Sequence, residues 1–60
     1  MKIKKYRMSS GLTQKELSKK LGVSRVAIAM WETGKALPTT DKLPVLAKIF
    51  NCTVDELLSE

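Results

Sequence analysis

The sequence predicts a single all-α domain of five short helices over residues 1–60. Apolar residues recur three and four positions apart, which is the spacing of residues on one face of a helix. Threonine or serine precedes several of these segments, and glycine follows three of them, as expected at helix N-caps and C-termini. A chain of 60 residues permits one domain, whose small core must be packed efficiently.

The first helix is predicted from about residue 2 to residue 10. Ile3, Tyr6 and Arg7 lie at i, i+3 and i+4, so they share one face of this helix. Gly11 follows as the stop signal, because glycine adopts the left-handed conformation common after a helix C-terminus.

The second helix is predicted to begin after Thr13 and to end at Gly22. Thr13 and Glu16 have the spacing of a capping box, in which each side chain accepts a hydrogen bond from the other residue's backbone amide. Leu17 and Leu21 lie four residues apart and form the buried face.

The third helix is predicted over residues 25–32, with Ser24 as its N-cap. Only Val23 separates Ser24 from the preceding Gly22, so the second and third helices must cross steeply. Three residues are expected on its buried side: Ala27, Ile28 and Trp31.

The fourth helix is predicted from about Asp41 to Phe50. Pro44 is acceptable only in the first turn, which favours a start nearer Leu43. Thr53 then caps a last short helix. The expected core consists of Leu17, Leu21, Ile28, Trp31, Leu46 and Phe50, with Cys52 as a buried small hydrophobe.

The composition excludes several classes of function. There is no histidine, the lone cysteine has no base to activate it, and too few ligands are present for a zinc site. We therefore expect no enzyme activity, no metal and no cofactor. One cysteine cannot form an intrachain disulfide, and no apolar run is long enough to span a membrane. These features predict a cytoplasmic protein without a membrane partner.

The charge distribution is asymmetric along the chain. Residues 1–35 hold nine basic and two acidic side chains, whereas residues 36–60 hold two basic and four acidic ones. A basic half beside a mildly acidic half indicates one face that meets a polyanion, although lysines also solubilise helices without any such role.

The stretch from Gly11 to Gly34, GLTQKELSKKLGVSRVAIAMWETG, resembles the helix-turn-helix of the lambda-repressor and Cro family of bacterial and phage regulators, also called XRE-like. The resemblance continues through residues 43–47 and 54–58, so it covers nearly the whole chain. It departs at Ser18, where the family usually has alanine. It implies a lambda-repressor-like fold, a helix-turn-helix formed by the second and third helices, and transcription regulation as a repressor.

A helix fits the DNA major groove, where each base pair presents a distinct set of donors and acceptors. We expect the third helix to read bases through Ser24, Arg25, Val26 and Met30. Arg25 can donate two bonds to guanine, and Val26 offers an apolar surface to a thymine methyl group. The alternatives are that Arg25 is an ordinary solvated charge and that Val26 and Met30 cover a protein partner.

Phosphate contacts are expected on both sides of the reading helix. The N-terminus of the second helix, at Thr13 and Gln14, offers backbone amides and side-chain donors, although Gln14 can also be only a first-turn residue. The resemblance assigns a second backbone contact to Thr33, Gly34 and Lys35. The following residues 36–38 carry no charge, so this second contact is expected to be weaker than in some phage repressors.

The resemblance implies three further features. Arg7 and Glu32 match family positions that form an internal ion pair. Members of the family bind pseudo-palindromic operators in double-stranded DNA as two-fold dimers. We expect a weak homodimer through Leu37, Pro44, Val54 and Leu58. Related domains also act as antitoxins or bind regulatory proteins, so a toxin or regulatory-protein partner is the alternative expectation.

Overall fold

The computed structural model describes residues 1–59, which form five α-helices and no strand. The helices are α1, Ile3–Ser9; α2, Gln14–Leu21; α3, Arg25–Thr33; α4, Leu43–Phe50; and α5, Val54–Leu58. A 3-10 turn, Thr40–Lys42, leads directly into α4. The predicted all-α fold class is therefore confirmed.

Local capping explains where three of the helices begin. Thr13 and Thr53 each form a complete capping box, with Glu16 and Glu56 respectively. At the start of α3 the Ser24 hydroxyl accepts a hydrogen bond from the Ala27 amide at 3.1 Å. Each cap occupies an amide that would otherwise lack an acceptor in the first helical turn.

The core lies where all five helices meet. Its largest fully buried side chains come one from each helix: Ile3, Leu17, Ile28, Leu46 and Leu57. Leu21, Ala47 and Phe50 are also buried. Trp31, expected in the core, is only partly buried and packs against its edge.

The two ends of the described chain are joined. The Lys2 amide donates to the Leu57 carbonyl at 3.0 Å, which ties the start of α1 to α5. The Tyr6 ring stacks on Phe50 of α4, with ring centroids 5.9 Å apart. Ile3 is buried on the same side of α1. These contacts fix the orientation of α1 about its own axis, and in this orientation Arg7 points towards α3.

Of two expectations about the second half of the chain, one is confirmed and the other is wrong in detail. The fourth α-helix begins at Leu43, as Pro44 indicated, because Pro44 has no amide hydrogen to bond the carbonyl of Thr40. Cys52 is partly exposed, since it follows Asn51, which ends α4 in a left-handed conformation at φ 54°. The burial that remains still raises the pKa of the Cys52 thiol, and the Glu56 carboxylate adds to this effect.

Candidate nucleic-acid interface

The turn between α2 and α3 sets the angle at which α3 leaves the body of the domain. Gly22 adopts a left-handed conformation, with φ 71°, and its amide donates to the Ser18 carbonyl. Val23 packs against the core, and Ser24 starts the next helix. The Lys42 ammonium donates to the Leu21 carbonyl at 3.4 Å, so the 3-10 turn braces the same end of α2.

The Ser18 position, where the chain departs from the resembled pattern, is accommodated inside the domain. The side chain is buried, and its hydroxyl donates to the Lys15 carbonyl at 2.7 Å. A buried hydroxyl with a partner avoids most of the cost of burying a polar group. The substitution therefore leaves the packing of α2 intact.

The outer face of α3 carries three of the predicted base-reading residues. Arg25 is exposed in the first turn, Val26 is 67% exposed, and Met30 is 38% exposed one turn later. Ile28 on the opposite side is fully buried. The helix is thus anchored from behind, and its outer face has one cation and two apolar side chains. The fourth predicted reader, Ser24, lies at the N-cap with its oxygen occupied by the Ala27 amide.

Two surface grooves meet beside Arg25 and Gln14, which line both of them. The first groove follows α1 and the start of α2, where it is lined also by Arg7, Met8, Gly11, Leu12, Thr13 and Lys15. The second follows the outer face of α3 and is lined also by Val26, Ala29, Met30, Thr33 and Lys35. Three of the four predicted reading residues and most of the predicted phosphate-contacting residues therefore border one continuous surface, whereas Ser24 lines neither groove.

The N-terminus of α2 is built around its capping box. The Thr13 hydroxyl accepts from the Glu16 amide at 3.0 Å, and the Thr13 amide donates to Glu16 Oε1 at 2.9 Å. The bond from the Thr13 amide contributes most to lowering the pKa of the Glu16 carboxyl, and hydrogen bonding by the Thr13 side chain adds to this effect. The next amides along, those of Gln14 and Lys15, have no acceptor within the helix and are suited to an anion.

The Gln14 side chain makes a contact that the sequence analysis missed. Its Nε2 donates to Glu32 Oε1 at 3.0 Å across 18 residues of sequence. No local sequence pattern predicts such a contact, because it depends on how closely α2 and the end of α3 approach each other. Gln14 is therefore tied to α3 as well as placed at the surface.

Arg7 and Glu32, the residues expected to form an ion pair, meet between α1 and α3. Arg7 Nε donates to Glu32 Oε2 at 2.6 Å, and Nη2 donates to Oε1 at 3.3 Å. The Arg7 Nη1 group also donates to the Leu12 carbonyl at 2.8 Å. Burial by itself would raise the pKa of Glu32, but the bonds from Arg7 and Gln14 and the nearby positive charges outweigh it and lower the pKa.

The residues after α3 offer fewer free donors than their sequence indicates. The Thr33 hydroxyl donates back to the Ala29 carbonyl at 3.1 Å, and the Lys35 amide donates to the Met30 carbonyl at 2.9 Å. Gly34 caps the helix at φ 79°, with its amide directed to carbonyls of α3. The exposed Lys35 ammonium is the donor of this region best placed for a phosphate.

The four residues expected to form a dimer surface differ in exposure. Leu37 is 72% exposed, Leu58 is 40% exposed and Pro44 is also exposed, whereas Val54 is half-buried. Val45, which the sequence analysis did not select, is 42% exposed on α4. Its exposure could have been predicted, because Val45 lies outside the spacing of three and four positions that the buried residues of α4 follow.

Residues 1–59 contain no group of side chains arranged to hold a metal ion. Over the same residues, none of the helices has the length and apolar character needed to cross a bilayer.

The chain is similar in sequence to known helix-turn-helix proteins. A family model described as helix-turn-helix, HTH_3, matches residues 3–57. The chain is 45% identical over 58 residues to the HTH-type transcriptional activator BcrR of Enterococcus faecalis, covering 97% of this chain and 28% of that protein. It is 41% identical over 56 residues to the uncharacterized HTH-type transcriptional regulator MJ0272 of Methanocaldococcus jannaschii, covering 93% of this chain and 85% of that protein.

A phage protein is also similar. Repressor protein C2 of Salmonella phage P22 is 37% identical over 57 residues, covering 95% of this chain and 26% of the repressor. The chain thus spans little more than a quarter of BcrR and of the phage repressor, but most of the archaeal regulator. No solved structure gives a significant match.

Proposed function

The chain belongs to the HTH_3 helix-turn-helix family, and we propose that it is a sequence-specific regulator that inserts α3 into the major groove of double-stranded DNA. Residues 1–60 act as one DNA-binding domain. The observation that carries the proposal is the outer face of α3. Arg25, Val26 and Met30 are exposed there, between the proposed phosphate contacts at Gln14 and Lys35.

Each reading residue has a chemical role in this proposal. Arg25 donates two parallel hydrogen bonds to O6 and N7 of a guanine. Val26 and Met30 present apolar surface to thymine methyl groups. Ser24 has its oxygen engaged by the Ala27 amide, so its hydroxyl hydrogen is the donor left for a base.

The duplex backbone is held on both sides of the reading helix. From the start of α2, Thr13 donates through its hydroxyl and Gln14 through its side chain, and the backbone amides of Gln14 and Lys15 lack helical acceptors. On the other side Lys35 carries most of the contact, because the Thr33 hydroxyl and the Lys35 amide are engaged with α3 carbonyls. The amide of Gly34 is engaged in the same way.

Repression is the simpler mode of action for this domain, because a bound protein can block a promoter by occupancy alone. The relatives include one named an activator and one named a repressor. The position of the bound DNA site relative to the promoter is therefore the variable to test. Placing the selected site over a promoter should reduce a reporter's output in cells that express the protein. We expect this action in the cytoplasm, where bacterial and phage DNA is transcribed.

A weak homodimer on a pseudo-palindromic operator completes the proposal. The exposed apolar residues Leu37, Pro44 and Leu58, with the half-buried Val54, lie in the acidic half of the chain. Val45 adds to the apolar surface of α4. Pairing only on DNA predicts half-sites about one helical turn apart and a monomer in the absence of DNA.

Selection of bound sequences from random DNA at a stated salt concentration tests the proposal. The expected result is an enriched motif with two related halves. Recovery of a single unrepeated half would contradict the dimer, and recovery of no motif would contradict sequence-specific binding.

A protein-binding role, as in an antitoxin or a partner of a regulatory protein, is the second candidate. The exposure of Val26 and Leu37, at 67% and 72%, favours it, since exposed apolar side chains also cover partner proteins. Absence of any DNA affinity at low salt would favour this role over DNA recognition.

A further inference from the structure

We propose that Glu32 is a positioning residue for DNA binding, because its carboxylate orients the side-chain amide of Gln14 so that an N–H donor faces the phosphate backbone. The inference rests on the proposed function and adds to it a residue that does not itself contact DNA. Glu32 lies in the last turn of the reading helix, whereas Gln14 begins the helix that meets the backbone.

The geometry around Glu32 leaves its carboxylate little freedom. Its side chain is 3% exposed, and Arg7 donates to both of its oxygens, at 2.6 and 3.3 Å. The Gln14 Nε2 group adds a third bond, to Oε1 at 3.0 Å. These bonds fix the position and orientation of the Glu32 carboxylate as a hydrogen-bond acceptor.

An ionised carboxylate accepts hydrogen bonds and cannot donate them. It therefore selects the nitrogen end of the Gln14 amide. The opposite orientation would place Gln14 Oε1 against Glu32 Oε1, with two acceptors in contact and no hydrogen between them. The Glu32 carboxylate therefore strongly favours one orientation of the Gln14 amide.

The chosen orientation determines what Gln14 offers to DNA. The amide nitrogen has two hydrogens, and the bond to Glu32 uses one of them. The other is left for a phosphate at the surface where Gln14 and Arg25 border both grooves. A reversed amide would instead present an oxygen to the phosphate and repel it. Fixing the side chain before binding also removes part of the entropy lost on association.

A double-mutant cycle between Gln14 and Glu32 tests this role. Affinity for a random duplex is measured for wild type, Gln14→Ala, Glu32→Gln and the double variant, at a temperature where circular dichroism shows all four to be folded. We expect each single variant to bind roughly tenfold more weakly, the size of one lost hydrogen bond to a charged group. The double variant should lose no more than Gln14→Ala alone.

Glu56→Gln is the matched control. It makes the same substitution in the capping box of α5, at a residue that lines neither groove. Its melting temperature should fall while the affinity of the folded protein for the duplex stays within about twofold of wild type. Should Glu32→Gln not fold, Glu32→Asp replaces it in the cycle, because the shorter side chain keeps the charge but withdraws the acceptor from Gln14.

Two outcomes would overturn the inference. Unchanged duplex affinity in Glu32→Gln would show a purely structural residue, and so would losses that multiply in the double variant. The side-chain amide resonances of Gln14 in the free protein give a second readout: they should move in Glu32→Gln and stay near their wild-type positions in Glu56→Gln. If wild type binds no duplex at low salt, the proposed function fails together with the phosphate role. Unmoved amide resonances, by contrast, would refute the positioning of Gln14 alone.

Discussion

Arg7 and Glu32 join α1 to α3 by two contacts, at 2.6 and 3.3 Å, with 12% and 3% of their side-chain surfaces exposed. A pair this deeply buried behaves differently from a surface ion pair. Removing one partner leaves the other charge buried without compensation, whereas an exposed pair contributes little. The contact therefore couples the stability of the domain to the placement of the reading helix.

Glu32→Ala should lower the free energy of unfolding by about 3–5 kcal/mol, because it leaves the Arg7 guanidinium buried and unpaired. For so small a domain this is a large part of the total stability. Thermal denaturation followed by circular dichroism measures the effect. The double variant Arg7→Met/Glu32→Met is the control and should lose less than Glu32→Ala. An unchanged melting temperature in Glu32→Ala would show that the pair contributes nothing.

The same carboxylate predicts a pH dependence. The pKa of Glu32 is lowered in the folded state, so its contribution to stability is complete above its ordinary value of 4.5 and is lost as the pH falls through the folded pKa. The difference in melting temperature between wild type and Glu32→Gln should therefore narrow below about pH 4.5. Glu16 and Asp41, whose pKa values are also lowered, act in both proteins and cancel in this comparison. A difference that is constant from pH 7 to pH 3 would contradict the prediction.

Gly22 should resist replacement although the space around it is open. No atom lies within 4 Å of the position that a Cβ would take, but its φ of 71° is strained for most residues. We expect Gly22→Ala to cost about 1–2 kcal/mol through backbone conformation alone. Gly22→Asn should cost less, because asparagine tolerates the left-handed region. Equal melting temperatures for both variants and wild type would show that the turn adopts another conformation.

Val26 can be tested against one atom group of the DNA. If its side chain contacts a thymine methyl group, Val26→Ala should weaken binding to the selected operator by about 1 kcal/mol or more. Replacing the contacted thymine by deoxyuridine should weaken wild-type binding similarly, and should then abolish the difference between wild type and Val26→Ala. Independent, additive losses from the two changes would assign Val26 to another contact.

Arg25 and Lys35 should separate base reading from backbone binding. Arg25→Ala should cost about 1–3 kcal/mol on the operator, relax preference at one base pair, and affect random DNA much less. Lys35→Ala should weaken binding to both duplexes alike. It should also make the negative slope of log affinity against log salt shallower, reducing its magnitude by roughly one. Affinities at several salt concentrations measure both effects. An equal loss on both duplexes for Arg25→Ala would make Arg25 a backbone contact.

Most of the helix boundaries were predictable, because the interactions that set them are local. Thr13 and Glu16 are three residues apart, and so are Ser24 and the Ala27 amide that it caps. Contacts between residues so close in sequence form at the start of a helix whatever the rest of the fold, so residue identity and spacing were enough to predict them. Pro44 shows the limit: it indicated a late helix start, but the 3-10 turn that fills the gap was not predicted.

The candidate interface was predictable in outline for a similar reason. The spacing that buries Ile28 also turns Val26 and Met30 outward, since residues on one helix have fixed angular relations. The donors after α3 were less predictable. The resemblance assigns a backbone contact to Thr33, Gly34 and Lys35, but the Thr33 hydroxyl and the Lys35 amide donate to carbonyls of α3.

The helices, their caps and the residues on the outer face of α3 were predictable from the sequence, because each depends on neighbours within about four positions. Three other features arise only when the helices pack together: Gln14 bonds to Glu32, Trp31 lies at the edge of the core, and Cys52 remains partly exposed. These outcomes depend on the distances and angles between helices that are far apart in the chain. Such distances follow from how all the side chains of the core pack together, and no local spacing specifies them.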